Sequence, residues 1–265
     1  MANNWKIRSM LMGVDYIPTS LFGALGDPQM FNVPFTAFLL TNGEENVLVD
    51  TGEEYFSEDG TKDASNLLNA LAEDGLTPDD ITSVIYTHLH HDHAGNSELF
   101  TNAVAYIQKK EYDNMLNQYP IQTARGVYAK DVAEKISHHK RIILVDGDMT
   151  LANGLTLLLT PGHSLGGQSI VVPTAKGRYV LTGDTPGTRF AMFPWIDKFP
   201  TLEGDVLDLT PCTDGSMKYL DGFFTMDIFP AFDSHEKQLA YAERPEPEFI
   251  IPSHDPENIA IKTWG

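Results

Sequence analysis

Residues 88–93 read His-Leu-His-His-Asp-His, and no other part of the chain is as informative. Neutral imidazole nitrogens and carboxylate oxygens are the ligand atoms that zinc, iron and manganese accept. Four histidines and an aspartate so close together do not fit one face of a helix, so we expect a loop that aims several side chains at one point. The run divides into two pairs, His88 with His90 and Asp92 with His93, which favours two neighbouring metal ions.

The position of this run supports a metal site over a chance cluster. The preceding residues, 81–86, read Ile-Thr-Ser-Val-Ile-Tyr and predict a strand. Loops at strand ends are where a rigid scaffold presents functional groups. A polyhistidine tract would not contain Asp92, and the run is internal. We therefore predict a metal centre at the end of this strand.

Composition and charge narrow the class of protein. The chain has 265 residues, of which 42% are hydrophobic, enough for a globular fold with a sizeable core. Its formal net charge of −19 argues against a nucleic-acid partner, because backbone phosphates would be repelled. The single cysteine, Cys212, excludes an intrachain disulfide and fits a reducing compartment.

Apolar segments bear on where the protein acts. Residues 1–6 lack the apolar core of a signal peptide, and no apolar run reaches the roughly 20 residues that span a bilayer. We expect a cytoplasmic protein that acts on a small molecule and has no membrane partner. Assembly as a homodimer stays open.

The order of the predicted elements indicates an α/β fold. Strands and helices follow one another in two blocks, at about residues 30–140 and 142–260. This order favours two mixed β-sheets packed together with helices outside, a four-layer αββα sandwich. The segments 15–34 and 185–230 read as irregular. Predicted strands lie at residues 35–40, 47–49, 81–86, 142–145, 155–159, 169–172, 179–182 and 249–251, and predicted helices at 64–74, 109–117, 129–138 and 234–242.

Three later motifs supply candidates for the remaining metal ligands. His163 lies in Thr-Pro-Gly-His-Ser, Asp184 lies in Gly-Asp, and His254 lies in Pro-Ser-His-Asp. Each motif follows a predicted strand. A single histidine in a Pro-Gly turn is usually a surface residue, but the shared placement at strand ends predicts that these residues converge with the histidine run.

Taken in order, His-x-His-x-Asp-His, Pro-Gly-His-Ser, Gly-Asp and the late Ser-His-Asp resemble the motifs of the metallo-β-lactamase fold superfamily. The likeness runs from Asp50 in Leu-Val-Asp-Thr-Gly to His254, and within the superfamily it is greatest to the N-acyl homoserine lactonases. It implies the αββα fold for a single domain over residues 1–265. We expect a pocket-forming insertion at about residues 185–230.

The resemblance also implies a ligand set for two divalent metal ions. Asp184 would bridge the two ions, and Asp50 would accept a hydrogen bond from a ligating histidine. Zinc suits this donor set best, with iron and manganese as alternatives. The first ion would be held by His88, His90 and His163, and the second by Asp92, His93 and His254.

Such a pair of ions implies hydrolysis. Two metals can share a water, lower its pKa toward neutrality and so supply a bridging hydroxide that attacks a lactone carbonyl. Asp92 would carry a proton to the leaving group. The expected function is a metal-dependent lactonase that acts on an acyl homoserine lactone, as in quorum quenching, or on another hydrophobic or aromatic lactone.

One position departs from the lactonase pattern. These enzymes usually carry a tyrosine three residues after the bridging aspartate, and here that residue is Gly187. A hydroxyl from Tyr128 or Tyr219 is a candidate replacement. The expected hydrophobic substrate wall consists of four aromatic residues: Phe22, Phe190, Phe193 and Trp195.

Two other functions stay open at this stage. The same site would suit a thioester, an ester or a cyclic amide as the bond hydrolysed, and a mononuclear iron dioxygenase would share the fold. Metal content and oxygen uptake would separate the last of these. The remaining histidines are assigned no metal, and three of them are expected to be solvent-exposed: His138, His139 and His235, with His91 at the variable position of the motif.

Overall fold

A computed structural model describes residues 4–265. The β-strands are Lys6–Pro18 (β1), Met30–Thr41 (β2), Asn46–Val49 (β3), Tyr55–Phe56 (β4), Lys62–Asp63 (β5), Ser83–Ile85 (β6), Val104–Gln108 (β7), Arg141–Val145 (β8), Met149–Thr150 (β9), Thr156–Leu159 (β10), Gln168–Thr174 (β11), Gly177–Gly183 (β12), Lys198–Pro200 (β13), Val206–Asp208 (β14), Ile250–Pro252 (β15) and Thr263–Trp264 (β16). The α-helices are Ser65–Glu73 (α1), His91–Ala94 (α2), Lys109–Leu116 (α3), Pro120–Arg125 (α4), Val132–Ser137 (α5), Arg189–Met192 (α6), Ile228–Tyr241 (α7) and Glu257–Ile261 (α8).

Two mixed sheets form the centre of the fold. The first has seven strands in the order β16-β1-β2-β3-β6-β7-β8, and the second has five in the order β15-β12-β11-β10-β9. In β2, Phe38 and Leu40 face the core shared by the two sheets, while Ala37 and Leu39 face the core under α1, α3 and α5. A strand alternates its side chains between faces, so one short sequence supplies two apolar layers.

Helices cover the outer faces of both sheets. Leu67 and Leu71 of α1 and Ile136 of α5 pack on the first sheet, while Phe232 and Leu239 of α7 pack against the core of the second. The result is the predicted αββα sandwich. The prediction of fold class is confirmed.

Parallel strand pairs bring the candidate site together. Strand β3 pairs in parallel with β6 in the first sheet, and β12 pairs in parallel with β15 in the second. The carboxyl ends of parallel neighbours lie at the same sheet edge, where α/β folds place their ligands. The segments that follow these four strands carry Asp50, the histidine run, Asp184 and His254.

The structure corrects three expectations about elements. Residues 15–34 are not one irregular segment, because β1 extends to Pro18 and β2 begins at Met30 and pairs with it. Strand β8 belongs to the first sheet, in parallel with β7, so the second block begins later than expected. Only the first half of the histidine run is a loop, since residues 91–94 form the short helix α2.

Within the described residues, none of the helices is both long enough and apolar enough to cross a bilayer. The expectation about residues 1–6 lies partly outside the described chain, which begins at residue 4.

Candidate functional site

Two clusters of potential ligands lie side by side at the edge where the two sheets meet. One contains three buried histidines, and the other contains two histidines and two aspartates, with the ligand atoms of each group within 4.8 Å of one another. His90 Nδ1 lies 2.9 Å from His163 Nε2, although 73 residues separate them in sequence. The clusters are His88, His90 and His163, and Asp92, His93, Asp184 and His254.

Asp184 joins the two clusters. Its Oδ2 lies 3.4 Å from His163 Nε2 in the first cluster and 2.9 Å from His254 Nε2 in the second. Its Oδ1 lies 3.3 Å from His93 Nε2. A carboxylate that reaches ligands of both groups has the placement that a bridging ligand requires.

A buried carboxylate orients His93. Asp50 Oδ2 lies 2.8 Å from His93 Nδ1, and Asp50 accepts hydrogen bonds from the backbone N–H and the hydroxyl of Thr87, each at 2.7 Å. Asp50 has a φ of 61°, a left-handed conformation in which a residue other than glycine is uncommon. Because the Nδ1 atom of His93 is hydrogen-bonded to Asp50, the Nε2 atom of the same ring is directed at the second cluster.

The tautomers of two more histidines follow from their neighbours. His254 Nδ1 lies 2.9 Å from the carbonyl of Pro34, which can only accept, so Nδ1 carries the proton. The Thr87 hydroxyl donates to Asp50 and can therefore only accept from His88 Nδ1, at 3.1 Å. In both rings the Nε2 lone pair is left to face the site, as a metal ligand requires.

Glu111 is a residue that the sequence patterns did not single out. Its buried carboxylate accepts hydrogen bonds from Leu89 N and Gly166 N, both at 3.1 Å, and from the Tyr128 hydroxyl at 2.9 Å. Leu89 lies in the histidine run and Gly166 lies in the loop of His163. Glu111 thus ties together two loops that carry ligands.

The donor set fits divalent metal ions. Three buried atoms at the centre make no hydrogen bond within the described chain: His88 Nε2, His93 Nε2 and Asp184 Oδ1. Buried polar atoms are rarely left without a partner. Cations held by the two clusters would satisfy these atoms, which are nitrogen and oxygen donors of the kind that zinc, iron and manganese accept.

The charge states agree with this interpretation. Burial lowers the pKa of His88, His90 and His163 below the ordinary histidine value, so these rings are neutral. Burial alone would raise the pKa of Asp184, but His254, His93 and His163 outweigh it and hold that pKa well below its ordinary value. Neutral imidazoles and an ionised carboxylate are the states in which these groups bind metals.

The second cluster demands positive charge. Burial works against charging His93, but Asp92, Asp184 and Asp50 around it raise its pKa well above the ordinary value. Asp184 and Asp92 likewise overcome burial and raise the pKa of His254. The buried Asp50 and the partly buried Asp92 and Asp184 therefore require positive charge nearby, which is supplied either by protons on the two histidine rings or by a metal ion that replaces those protons.

A cavity of about 140 Å³ opens above the two clusters. Asp92, Asp184, His90, His163 and His254 reach its floor, so a small molecule in the cavity would touch both clusters. The walls are mostly apolar, with Asp15 and His91 as further polar residues. The apolar wall consists of Ile17, Phe22, Val33, Phe35, Val127 and Phe224.

Phe22 takes the space that a side chain at position 187 would need. A Cβ added to Gly187 would lie 2.9 Å from the Phe22 ring and 3.4 Å from His254. The two candidate replacements for the missing tyrosine hydroxyl, Tyr128 and Tyr219, do not line the cavity. Tyr128 donates to Glu111 and Asn114, and Tyr219 donates to Glu236. Tyrosine, serine and threonine are absent from the described residues that line the cavity.

The prediction of an aromatic wall is corrected in part. Phe22 lines the cavity. Phe190 does not line it and packs on Phe199 in the buried cluster that also contains Phe22, and Phe193 lies in the core between the sheets. Trp195 is 55% exposed. Of the segment 185–230, Phe224 reaches the cavity wall. Side-chain direction in an irregular segment depends on packing, so the sequence did not separate Phe224 from its neighbours.

The leftover histidines lie outside both clusters. His138 is exposed as expected. The expectation is wrong for His139, which is buried against Tyr86, and for His235, which is buried against Tyr219. His91 lies at the rim of the cavity with its Nδ1 3.1 Å from Glu53.

Known proteins are similar to this chain in sequence and in fold. N-acyl homoserine lactonase AiiA of Bacillus thuringiensis subsp. kurstaki is 32% identical over 188 residues, which cover 64% of this chain and 71% of that protein. A B. thuringiensis AiiA variant with N-decanoyl-L-homoserine bound at its active site superposes with a TM-score of 0.70 at 26% identity, covering 98% of this chain and 97% of that one.

A further solved structure is an N-acyl homoserine lactone hydrolase with its product N-hexanoyl-L-homoserine at the catalytic metal centre. It superposes with a TM-score of 0.69 at 25% identity, covering 98% of this chain and 97% of that chain. The profile of the metallo-beta-lactamase superfamily matches residues 34–254, a range that contains Asp50 and all seven residues of the two clusters. The chain belongs to the metallo-beta-lactamase superfamily.

Proposed function

We propose that this protein is a dinuclear metal-dependent hydrolase that opens the lactone ring of a small molecule with an apolar or aromatic body. The observation that carries the proposal is the position of Asp184, whose two oxygens lie within 3.4 Å of ligands in both clusters. The similarity to proteins named N-acyl homoserine lactonases supports the choice of bond.

The two clusters give each ion its own ligands. His88, His90 and His163 would hold one ion, Asp92, His93 and His254 the other, and Asp184 would contact both. Bound there, two divalent ions would polarise the substrate carbonyl and supply hydroxide from water near neutral pH. Zinc is our preferred metal because the set is rich in imidazole, with iron and manganese as alternatives.

Asp92 is the residue we assign to proton transfer. It lines the cavity, and its Oδ2 lies 3.4 Å from His93 Nε2 and 3.5 Å from His254 Nε2. Burial opposes its ionisation, but His93 and His254 hold the pKa of Asp92 below its ordinary value. An ionised Asp92 oxygen can take a proton from the attacking water and return it to the alkoxide oxygen as the ring opens.

The cavity walls support a substrate with an apolar part beside the lactone. Phe22 and Phe35 lie against the His254 ring, with centroids 5.7 and 5.8 Å away, so they bring apolar surface next to the second cluster. N-acyl homoserine lactones have this character, which makes quorum quenching a candidate role. Because Phe22 occupies the space beside Gly187, we infer that the carbonyl is held without a tyrosine hydroxyl.

Two ligand clusters joined by one carboxylate favour a two-metal hydrolase over a mononuclear iron dioxygenase. A single iron would leave one of the two groups without a metal partner. An ester, a thioester or a cyclic amide would contact the same cavity floor and walls as a lactone. A panel of substrates therefore tests which of these bonds the protein hydrolyses fastest.

The metal-loaded protein should be tested on a panel of lactones, linear esters and thioesters by proton release, and on cyclic amides by chromatography of the product, because the amine formed takes up the proton. We expect release from lactones and its loss in His90→Ala. The control is His138→Ala, since His138 is exposed and lies outside both clusters. Full lactone hydrolysis by His90→Ala, or faster turnover of a linear thioester than of every lactone, would overturn the proposal.

A further inference from the structure

A second groove adjoins the cavity on the side of α4. Its volume is about 260 Å³, and it shares five wall residues with the cavity. Beyond them the groove runs between α4 and the segment before α7. The shared residues are His90, His91, Val127, His163 and Phe224, and those lining the groove alone are Gln122, Arg125, Phe223 and Met226.

Arg125 is the charged group that distinguishes this groove. Its guanidinium carbon lies 4.1 Å from the centroid of the Phe223 ring, and its Nη1 lies 3.7 Å from the sulfur of Met226. In residues 4–265 it forms no ion pair, whereas Arg8 and Arg189 each bind two carboxylates. Arg141 also lacks an acidic partner among the described residues, but it does not line the groove, so Arg125 supplies the unpaired guanidinium of the described groove lining.

Gln122, the other polar residue that lines the groove alone, does not compete for a ligand. The buried Gln122 amide exchanges hydrogen bonds with Asn114 at 2.8 and 3.0 Å. Aspartate and glutamate are absent from the described groove lining, whereas Asp15, Asp92 and Asp184 line the cavity. An anionic group that enters the groove is therefore attracted toward Arg125 and meets no carboxylate among the described residues of its lining.

We propose that this groove binds the arm of the substrate that extends from the lactone, and that Arg125 binds a carboxylate at the end of that arm. The inference rests on the proposed lactone hydrolysis. A guanidinium presents a planar fork that matches a carboxylate, and the Phe223 ring under it holds its orientation. Val127, Phe224 and Met226 supply apolar contact for the methylene groups between ring and carboxylate.

A matched pair of substrates tests the assignment. N-adipoyl homoserine lactone ends its six-carbon acyl chain in a carboxylate, and N-hexanoyl homoserine lactone ends the same chain in a methyl group. We expect the metal-loaded wild type to prefer the adipoyl lactone by kcat/KM. In Arg125→Gln the ratio of the two kcat/KM values should fall about tenfold, mainly through KM for the adipoyl lactone.

Arg141→Gln is the control, because Arg141 is exposed on β8 and does not line the groove. It should keep the wild-type ratio. The proposal is overturned if the wild type does not prefer the adipoyl lactone, or if Arg125→Gln retains the preference.

The failure of lactone hydrolysis itself would be a separate outcome. If neither lactone releases protons, calorimetry with the ring-opened N-adipoyl homoserine and the metal-loaded protein decides the binding question. Weaker binding by Arg125→Gln than by Arg141→Gln would support the groove assignment, and equal binding would refute it.

Discussion

Asp50 reaches the candidate metal centre only through its neighbours. Its carboxylate is buried, accepts two hydrogen bonds from Thr87 and lies 2.8 Å from His93 Nδ1. Burial is the main reason that the pKa of Asp50 is raised, although His93 and Thr87 lower it. We propose that a carboxylate occupies this environment because it fixes the orientation of a ring that would bind a metal ion.

Replacing Asp50 with asparagine should weaken metal binding by about 10- to 100-fold, because the amide no longer holds His93 Nδ1–H with a full negative charge. Competition with a metal chelator measures the affinity. Asp205→Asn, an exposed change in the turn between β13 and β14, should leave it unaltered. Equal affinity in the two variants would contradict the role of Asp50.

Asp92 should act on the chemical step as well as on the metal. At saturating metal, Asp92→Asn should reduce kcat for alkyl lactones by about 100-fold or more, because proton transfer to the leaving alkoxide is lost. The thiolate formed when a thiolactone opens can leave without a proton. Asp92→Asn should therefore lose less activity toward thiolactones. A loss of the same size for both substrates would assign Asp92 to metal binding alone.

Elements position the site through their ends and through one helix. Strands β3, β6, β12 and β15 each stop just before a candidate ligand or its partner, and this part of the arrangement was predictable because strand ends are visible in sequence. The role of α3 was not. A Cβ on Gly166 would lie 2.1 Å from the backbone nitrogen of Glu111, so the His163 loop packs directly on this helix.

Glu111→Ala should destabilise the fold by about 2–5 kcal/mol, because the N–H groups of Leu89 and Gly166 and the Tyr128 hydroxyl lose a buried acceptor. Tyr128→Phe removes one of these donors and should cost about 1 kcal/mol. Urea unfolding of the metal-loaded proteins measures both. If the tyrosine change costs as much as the glutamate change, Glu111 does not hold the two loops.

The β1–β2 arm shows where prediction from sequence ended. Residues 6–12 carry apolar side chains on both faces, so the period of two that marks a half-buried strand is weak. The arm nevertheless supplies Asp15, Ile17, Val33 and Phe35 to the cavity. A wall assembled from one arm and from Phe224, far along the chain, depends on packing that residue types alone do not specify.

At the scale of the whole molecule, the convergence of the seven candidate ligands was predictable although they span residues 88–254. Motifs fix residue type and place each ligand after a strand, and the family resemblance assigns the order. The charge state of the site was harder to predict from the sequence. A formal net charge of −19 does not indicate that an ionised Asp184 lies in the same site as a neutral His88. His139 illustrates the same difficulty. Its basic neighbours in the sequence predicted an exposed side chain, but the side chain is buried in the fold.

His139 should make stability depend on pH. Burial lowers its pKa to about 4 from an ordinary 6.5, despite a hydrogen bond to the Phe100 carbonyl. Above pH 6.5 the ring is neutral in both the folded and unfolded chains. Between pH 6.5 and 4 the unfolded chain binds the proton and the folded chain does not, so stability falls by up to about 3 kcal/mol as the pH drops.

Urea unfolding across this pH range measures the effect. His139→Phe removes this titrating group and should make the slope of stability against pH shallower than in the wild type, whatever its cost at neutral pH. His138→Gln changes an exposed neighbour and should keep the wild-type slope. A slope in His139→Phe equal to that of the wild type would show that other groups cause the dependence.

The most direct test of the two-metal account is a metal titration of the chelator-treated protein, with bound metal and proton release from N-hexanoyl homoserine lactone measured in the same samples. We predict binding that levels off at two ions per chain, one for each ligand cluster, with hydrolysis appearing as the second ion binds. Full hydrolysis with a single ion per chain, or one iron per chain with oxygen uptake and no lactone opening, would contradict the account.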